Sequence, residues 1–194
     1  MTNVLENQES VDATEQAGIP FDAAAHAKSM VGHHYRVDDY YEVGREKIRE
    51  YARAVRDSHP AHHDDDAARG LGYDGVIAPL TFVSIVGMIA QRKLFEEVVT
   101  GYDLSQIMQT DQRMVYHRPI QAGDRLFCDV YLDDFRQAAG SDIITTKNVI
   151  TDQYDNLVLT SWTTLVARSG GEVDDNIAHA VKDVVMHSDT GDAQ

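Results

Sequence analysis

Hydrophobic positions change their spacing once along this chain, near Gly101. Before that point the period is helical: Ile48, Tyr51, Ala52 and Val55 recur at i, i+3, i+4 and i+7 with charges between them, which predicts an amphipathic helix from Arg45. That helix is expected to stop near Asp57. Pro60 biases His59 away from the helical region and cannot sit in a helix interior, so residues 57–62 read as a turn. A short helix from Asp64, ending at Gly70 or Gly72, follows. Pro79 suits the first residue of the next helix, where its missing N–H costs nothing, and Val83, Val86 and Ala90 continue an uncharged body. A helix apolar nearly all round needs cover on several sides, which a curved sheet can provide.

Beyond Gly101 the period becomes two, most clearly where Leu126, Cys128, Val130 and Leu132 alternate with Arg125, Phe127, Asp129 and Tyr131. Strands also fit Gln106 to His117, Ile143 to Thr151 and Leu157 to Ala167. Turn signals fall at residues 122–124, 139–141 and 153–156. Helices first and a run of strands afterwards predict an α+β fold, an antiparallel sheet around one long buried helix.

Length and charge set the limits of this picture. The 194 residues suit one domain, expected over 31–168, between acidic extensions at 1–30 and 169–194 that are polar and expected to be mostly mobile. These extensions carry −9 of the formal charge of −15. An acidic body without a basic stripe disfavours nucleic acid and anionic membrane surfaces. The longest uncharged stretch, Gly75 to Gln91, is shorter than the roughly 20 apolar residues of a membrane span, so no membrane insertion is expected. A single cysteine, Cys128, and no secretory leader pattern point to a reducing, cytoplasmic setting.

The candidate chemistry lies in Asp57-Ser58-His59-Pro60-Ala61-His62. A carboxylate and an imidazole at opposite ends of a tight turn could point into one cleft, as general base and proton carrier. Asp57 follows a helix C-terminus, where the dipole disfavours negative charge, so an upward pKa is expected if it is partly buried. After Pro79, the N–H groups of Leu80 and Thr81 are orphan donors that could hold a thioester oxyanion. An Asp after a helix also suits a plain turn. His59, His62, His63 and Asp64–Asp66 are consecutive and lack the spacing of a closed metal site, so neither a metal nor another cofactor is expected. Cys128 reads as a core thiol, and Tyr35, Tyr40 and Tyr41 as packing. His33 and His34 have no partner legible in the sequence.

Taken together, Tyr51 to Ala68 (YARAVRDSHPAHHDDDAA) resembles the R-specific enoyl hydratase motif of MaoC-like proteins, with Asp57, Pro60, His62 and Asp64 in register. Gly75-Val76-Ile77-Ala78-Pro79 then leads into the central helix, and Pro119 to Asp124 looks like the family's Pro-x-x-x-Gly-Asp strand start. Gly44 to Glu50 and Ala78 to Phe82 are more closely similar to the N-terminal-type subunits of actinobacterial (3R)-hydroxyacyl-ACP dehydratases. The likeness covers roughly residues 31–168. It implies a hot-dog fold, an acyl-CoA or acyl-ACP substrate, and hydration or dehydration of trans-2-enoyl or (3R)-hydroxyacyl chains. Asp57 and His62 would be catalytic, the Leu80 N–H an oxyanion donor and His59 a substrate contact. It also implies a homodimer, or a heterodimer with another MaoC-like subunit. The chain departs from the motif in carrying His59 for Asn and Pro79-Leu80 for His-Gly. In such heterodimers the subunit with the Ala-Pro-Leu-Thr-Phe helix start shapes the acyl tunnel while its partner holds the Asp and His; this sequence carries both signatures.

Overall fold

The computed structural model describes residues 21–168 and 180–181. The mobile extensions expected at 1–30 and 169–194 lie for the most part outside the described residues. Within 1–30 a helix, α1 (Ala23–Ser29), is capped by the Asp22 carboxylate, which accepts from Ala25 N. Two short strands follow, β1 (His34–Arg36) and β2 (Tyr41–Glu42), then the amphipathic helix α2 (Arg45–Ala54). A single 3-10 turn (Pro60–His62) and a short helix, α3 (Asp65–Arg69), lead to a second 3-10 turn (Leu80–Phe82), which runs into the central helix α4 (Val83–Lys93). Four long strands complete the domain: β3 (Ile107–Tyr116), β4 (Arg125–Ala138), β5 (Ser141–Thr151) and β6 (Leu157–Arg168).

The strands form one antiparallel sheet in the order β1-β4-β5-β6-β3, with β2 also pairing with β4. The alternation in β4 is realised: Leu126, Cys128, Val130 and Leu132 are buried toward the central helix. The sheet takes the Val83, Val86, Ala90 and Leu94 side of the helical run, with Phe82 and Ile48 filling the same core. Each of the Val, Leu, Ile and Phe side chains among these contributes roughly 1.5–3 kcal/mol when fully buried. Within one chain the other side of α4 stays open, and Met88 is 53% exposed. The β4–β5 hairpin closes through Ala139 (φ 51°) and Gly140 (φ 74°), a two-residue loop left-handed at both positions, as the twist of paired strands favours. Among the described residues no helix is long and apolar enough to cross a membrane.

The outer face of the sheet carries a row of paired side chains running across five strands. His34 stacks on Tyr131 at 4.5 Å, Lys147 Nζ lies over Tyr131 and Trp162, and Arg113 lies 4.8 Å from the Trp162 ring centre. Asp129 receives His34 Nε2 at 2.9 Å and a two-point contact from Arg36. His34 thus has the partner the sequence did not reveal.

A second polar clamp positions the central helix. Arg118 donates to both oxygens of Asp124 (2.8 and 2.9 Å) and to Asp152 (3.0 Å). It fixes the loop between β3 and β4, and that loop in turn holds residues 76–78, through Ala78 N to Ile120 O (2.8 Å) and Ala122 N to Val76 O (3.1 Å).

Candidate active site

Helix α2 delivers Asp57. It buries Ile48 and Ala52 and ends in a Schellman motif: Arg56 N donates to Arg53 O (3.1 Å) and Asp57 N to Ala52 O (2.8 Å). The residue that reverses the chain, Arg56, has φ 59°, a conformation glycine adopts without strain. The helix stops near Asp57 as expected, but Val55 is its C-cap, directly before Arg56 turns the chain, and is 45% exposed, although its spacing placed it on the apolar face.

The turn then returns His62 to Asp57. The His59 N–H donates to Asp57 Oδ1 at 3.1 Å, and Pro60 opens the 3-10 turn whose last residue is His62. His62 Nε2 lies 3.2 Å from Asp57 Oδ2; the imidazole is 10% exposed and the carboxylate 39%. On its other side, His62 Nδ1 lies 2.7 Å from the Ile77 carbonyl oxygen. A carbonyl can only accept, so Nδ1 carries the hydrogen and Nε2 is the basic nitrogen of the neutral ring. Ile77 N donates to Ala61 O (3.1 Å), which ties the turn to the segment before the central helix.

Electrostatics correct one expectation. The Asp57 carboxyl is held below its ordinary range, first by the hydrogen bond from the His59 N–H and then, against a partial burial penalty, by His62. The helix dipole was expected to act the other way. At a half-exposed carboxylate a direct N–H bond to the charged form outweighs it.

The three neighbouring histidines turn to different partners: His59 Nδ1 accepts from Ala61 N, His62 binds Ile77 O, and His63 Nε2 donates to Asp57 O at 3.1 Å. Asp64 caps α3 by accepting from Ala67 N, and Asp65 accepts from Val76 N and pairs with Arg45. Among the described residues no three or more metal-ligating side chains form a group. Each candidate ligand has a structural partner of its own.

Pro79 (φ −55°, ψ 150°) caps the 3-10 turn instead of opening α4 as its first residue. Leu80 is the first residue of that turn and is 63% exposed. Sequence reasoning missed two tyrosines here. Tyr51 OH donates to Thr81 O (2.7 Å), joining α2 to the helix start, and Tyr116 OH, from β3, donates to Leu80 O. Tyr51 gave only the signal of an apolar helical position, and Tyr116 that of a strand residue.

Two cavities of about 190 Å³ flank α4, and neither is lined by Asp57 or His62. One is apolar, between α4 (Val86, Ile89), β4 (Leu126, Cys128), Val37 and Tyr40 of the β1–β2 loop, and Tyr41 of β2. Burial pushes the Cys128 thiol on its wall up to about 12. The other is more polar, between the Gly87 and Gln91 side of α4 and inner positions of the sheet such as Gln112, Asn148 and Thr163.

Residues 29–161 match the family described as FAS1-like, dehydratase domain region. A UPF0336 protein of Mycobacterium leprae is 47% identical over 142 residues, covering 73% of this chain and 89% of the relative. Among solved structures, the C-terminally truncated HadBC (3R-hydroxyacyl-ACP dehydratase) complex of Mycobacterium tuberculosis superposes with a TM-score of 0.66 at 40% identity, covering 71% of this chain and 97% of that chain. A MaoC-like dehydratase superposes with a TM-score of 0.73 at 47% identity, covering 81% of this chain but 48% of that one. The antiparallel sheet and the central helix are the hot-dog fold of these neighbours, and the chain belongs to the FAS1-like dehydratase domain family, among the MaoC-like dehydratases.

Proposed function

We propose that this protein is a hydro-lyase acting on (3R)-hydroxyacyl and trans-2-enoyl thioesters of CoA or ACP, with Asp57 and His62 as its acid–base pair. The observation that carries this reading is the His62 geometry, with Nδ1–H committed to the Ile77 carbonyl and basic Nε2 facing the Asp57 carboxylate. Two acceptors so placed share one proton, or together accept both hydrogens of one water. In hydration, that water's oxygen bonds to substrate C3, the double-bond electrons move toward the thioester oxygen, and the water's proton passes to the pair. Protonation of C2 from the pair completes the addition. Dehydration is the reverse, with the C3 hydroxyl leaving as water. The Leu80 N–H would steady the thioester oxygen and exposed His59 would contact substrate at the rim. The apolar cavity beside Cys128 suits the acyl chain. Cytoplasmic acyl-CoA and acyl-ACP pools are the natural source.

A second reading is that the chain binds acyl groups and completes a dimer whose other hot-dog module performs the chemistry. Three observations favour it: HadBC is a complex by its name, the MaoC-like dehydratase chain is about twice the span matched here, and β3 is a ten-residue edge strand beside an open side of α4. Incubating the purified chain with crotonyl-CoA and a longer trans-2-enoyl-CoA, and determining the configuration of the product, separates the two. Formation of the (3R)-hydroxyacyl product by the chain alone supports the first reading. A folded chain inert on both thioesters until a second MaoC-like subunit is added supports the other.

A further inference from the structure

We infer that Tyr116 is a positioning residue that aims the Thr81 N–H, beside that of Leu80, at the thioester oxygen of a bound substrate; this rests on the thioester site of the proposed function. In a trans peptide the C=O and the N–H of one unit point in opposite directions, so fixing the oxygen fixes the donor. The Pro79–Leu80 unit is fixed because Pro79 O accepts from Phe82 N at 2.9 Å, which aims the Leu80 N–H away from the helix. The Leu80–Thr81 unit is fixed by the Tyr116 hydroxyl on Leu80 O. That hydroxyl has one hydrogen, and the carbonyl is the better acceptor than the Met114 sulfur at 3.3 Å. Burial, with nearby Tyr51 adding to it, raises the Tyr116 pKa, so the phenol stays a donor throughout the working range. Among the described residues neither the Leu80 nor the Thr81 N–H has an acceptor. Two adjacent donors, each held by its own carbonyl, form the preorganised arrangement that stabilises an oxyanion.

Tyr51 provides the control. Its hydroxyl bonds the next carbonyl, Thr81 O, but that peptide's N–H, on Phe82, is already given to Pro79 O. Removing either hydroxyl costs a bond to a carbonyl of the same helix start, and Tyr51 loses its contact with Ser84 Oγ at 3.2 Å as well, yet only Tyr116 fixes a free donor.

The test uses 4-(dimethylamino)cinnamoyl-CoA, a conjugated thioester whose absorbance moves to longer wavelength when its carbonyl oxygen accepts hydrogen bonds. The full-length protein is expected to red-shift the bound probe. Tyr116→Phe should lose most of that shift while affinity, from the same titration, stays within about threefold, and Tyr51→Phe should keep it. An unchanged shift in Tyr116→Phe, an equal loss in both variants, or no shift with the wild type overturns the inference. The readout needs no turnover, so Asp57→Asn should keep the shift. A Tyr116-dependent shift in a chain that never hydrates enoyl thioesters would sustain this inference and defeat the hydro-lyase reading. Hydration without a shift would do the reverse.

Discussion

His62 Nε2 and Asp57 Oδ2 lie 3.2 Å apart while the far nitrogen of the same ring is committed to the Ile77 carbonyl at 2.7 Å. The tautomer of His62 is therefore set by a backbone group fifteen residues away. That group is itself held in place by the loop that Arg118 clamps.

The protonation of Asp57 should depend on the His59 N–H. His59 has φ −60° and ψ 127°, which proline can adopt, so His59→Pro removes the donor without demanding a new backbone shape at that residue. Loss of a hydrogen bond to the charged form, together with loss of a nearby imidazole, should raise the carboxyl pKa. Carbon-detected NMR titration of Asp57 in both proteins measures it; an unchanged midpoint contradicts the assignment.

Asp152 should make the fold acid-sensitive. Burial alone would raise its pKa, but the N–H groups of Tyr154 and Asn156, with Arg118 and the Asn156 side chain, bring it down to about 2. A depressed folded-state pKa gives stability that is present above the unfolded value near 4 and lost as the pH falls toward 2. On the order of 2 kcal/mol is at stake. Asp152→Asn, which leaves Asp124 as the only carboxylate on Arg118, should be less stable at pH 7 by about that amount and show a shallower loss between pH 4 and 2 in urea melts.

How much of this was legible in the sequence depended on whether side chains or backbone carried the signal. The inward positions of β4 follow from strict alternation, and α3 begins after Asp64 and ends at Gly70 because cap residues act locally. The Asp57 and His62 contact was legible because both ends of a six-residue turn carry chemistry. The Ile77 carbonyl was not, since a backbone acceptor has no identity in sequence. Val55 was misplaced because the left-handed Arg56 turns the chain directly after it, and nothing in an arginine announces that conformation. Tyr51 and Tyr116 matched the periodicity of their elements, which hid the work of their hydroxyls.

Arg56→Gly should stabilise the protein by up to about 1 kcal/mol, because glycine takes the left-handed position without a side-chain clash. Thermal unfolding at equal protein concentration reads this directly. A lower melting temperature would mean that the arginine side chain contributes more than its backbone strain costs.

Cys128 should resist alkylation in the native state. It is buried, and its thiol is pushed up to about 12, so little thiolate exists at pH 8. Iodoacetamide should label it only after denaturant is added; rapid labelling of the native chain would show that the apolar cavity beside it opens to water.

The role of Asp57 is read from the rate of crotonyl-CoA hydration in wild type and Asp57→Asn, with folding checked in both. Asparagine keeps the size of the side chain and its acceptor oxygen but cannot take a proton, so kcat should fall by at least about 100-fold. An Asp57→Asn chain as fast as the wild type would remove Asp57 from the chemistry.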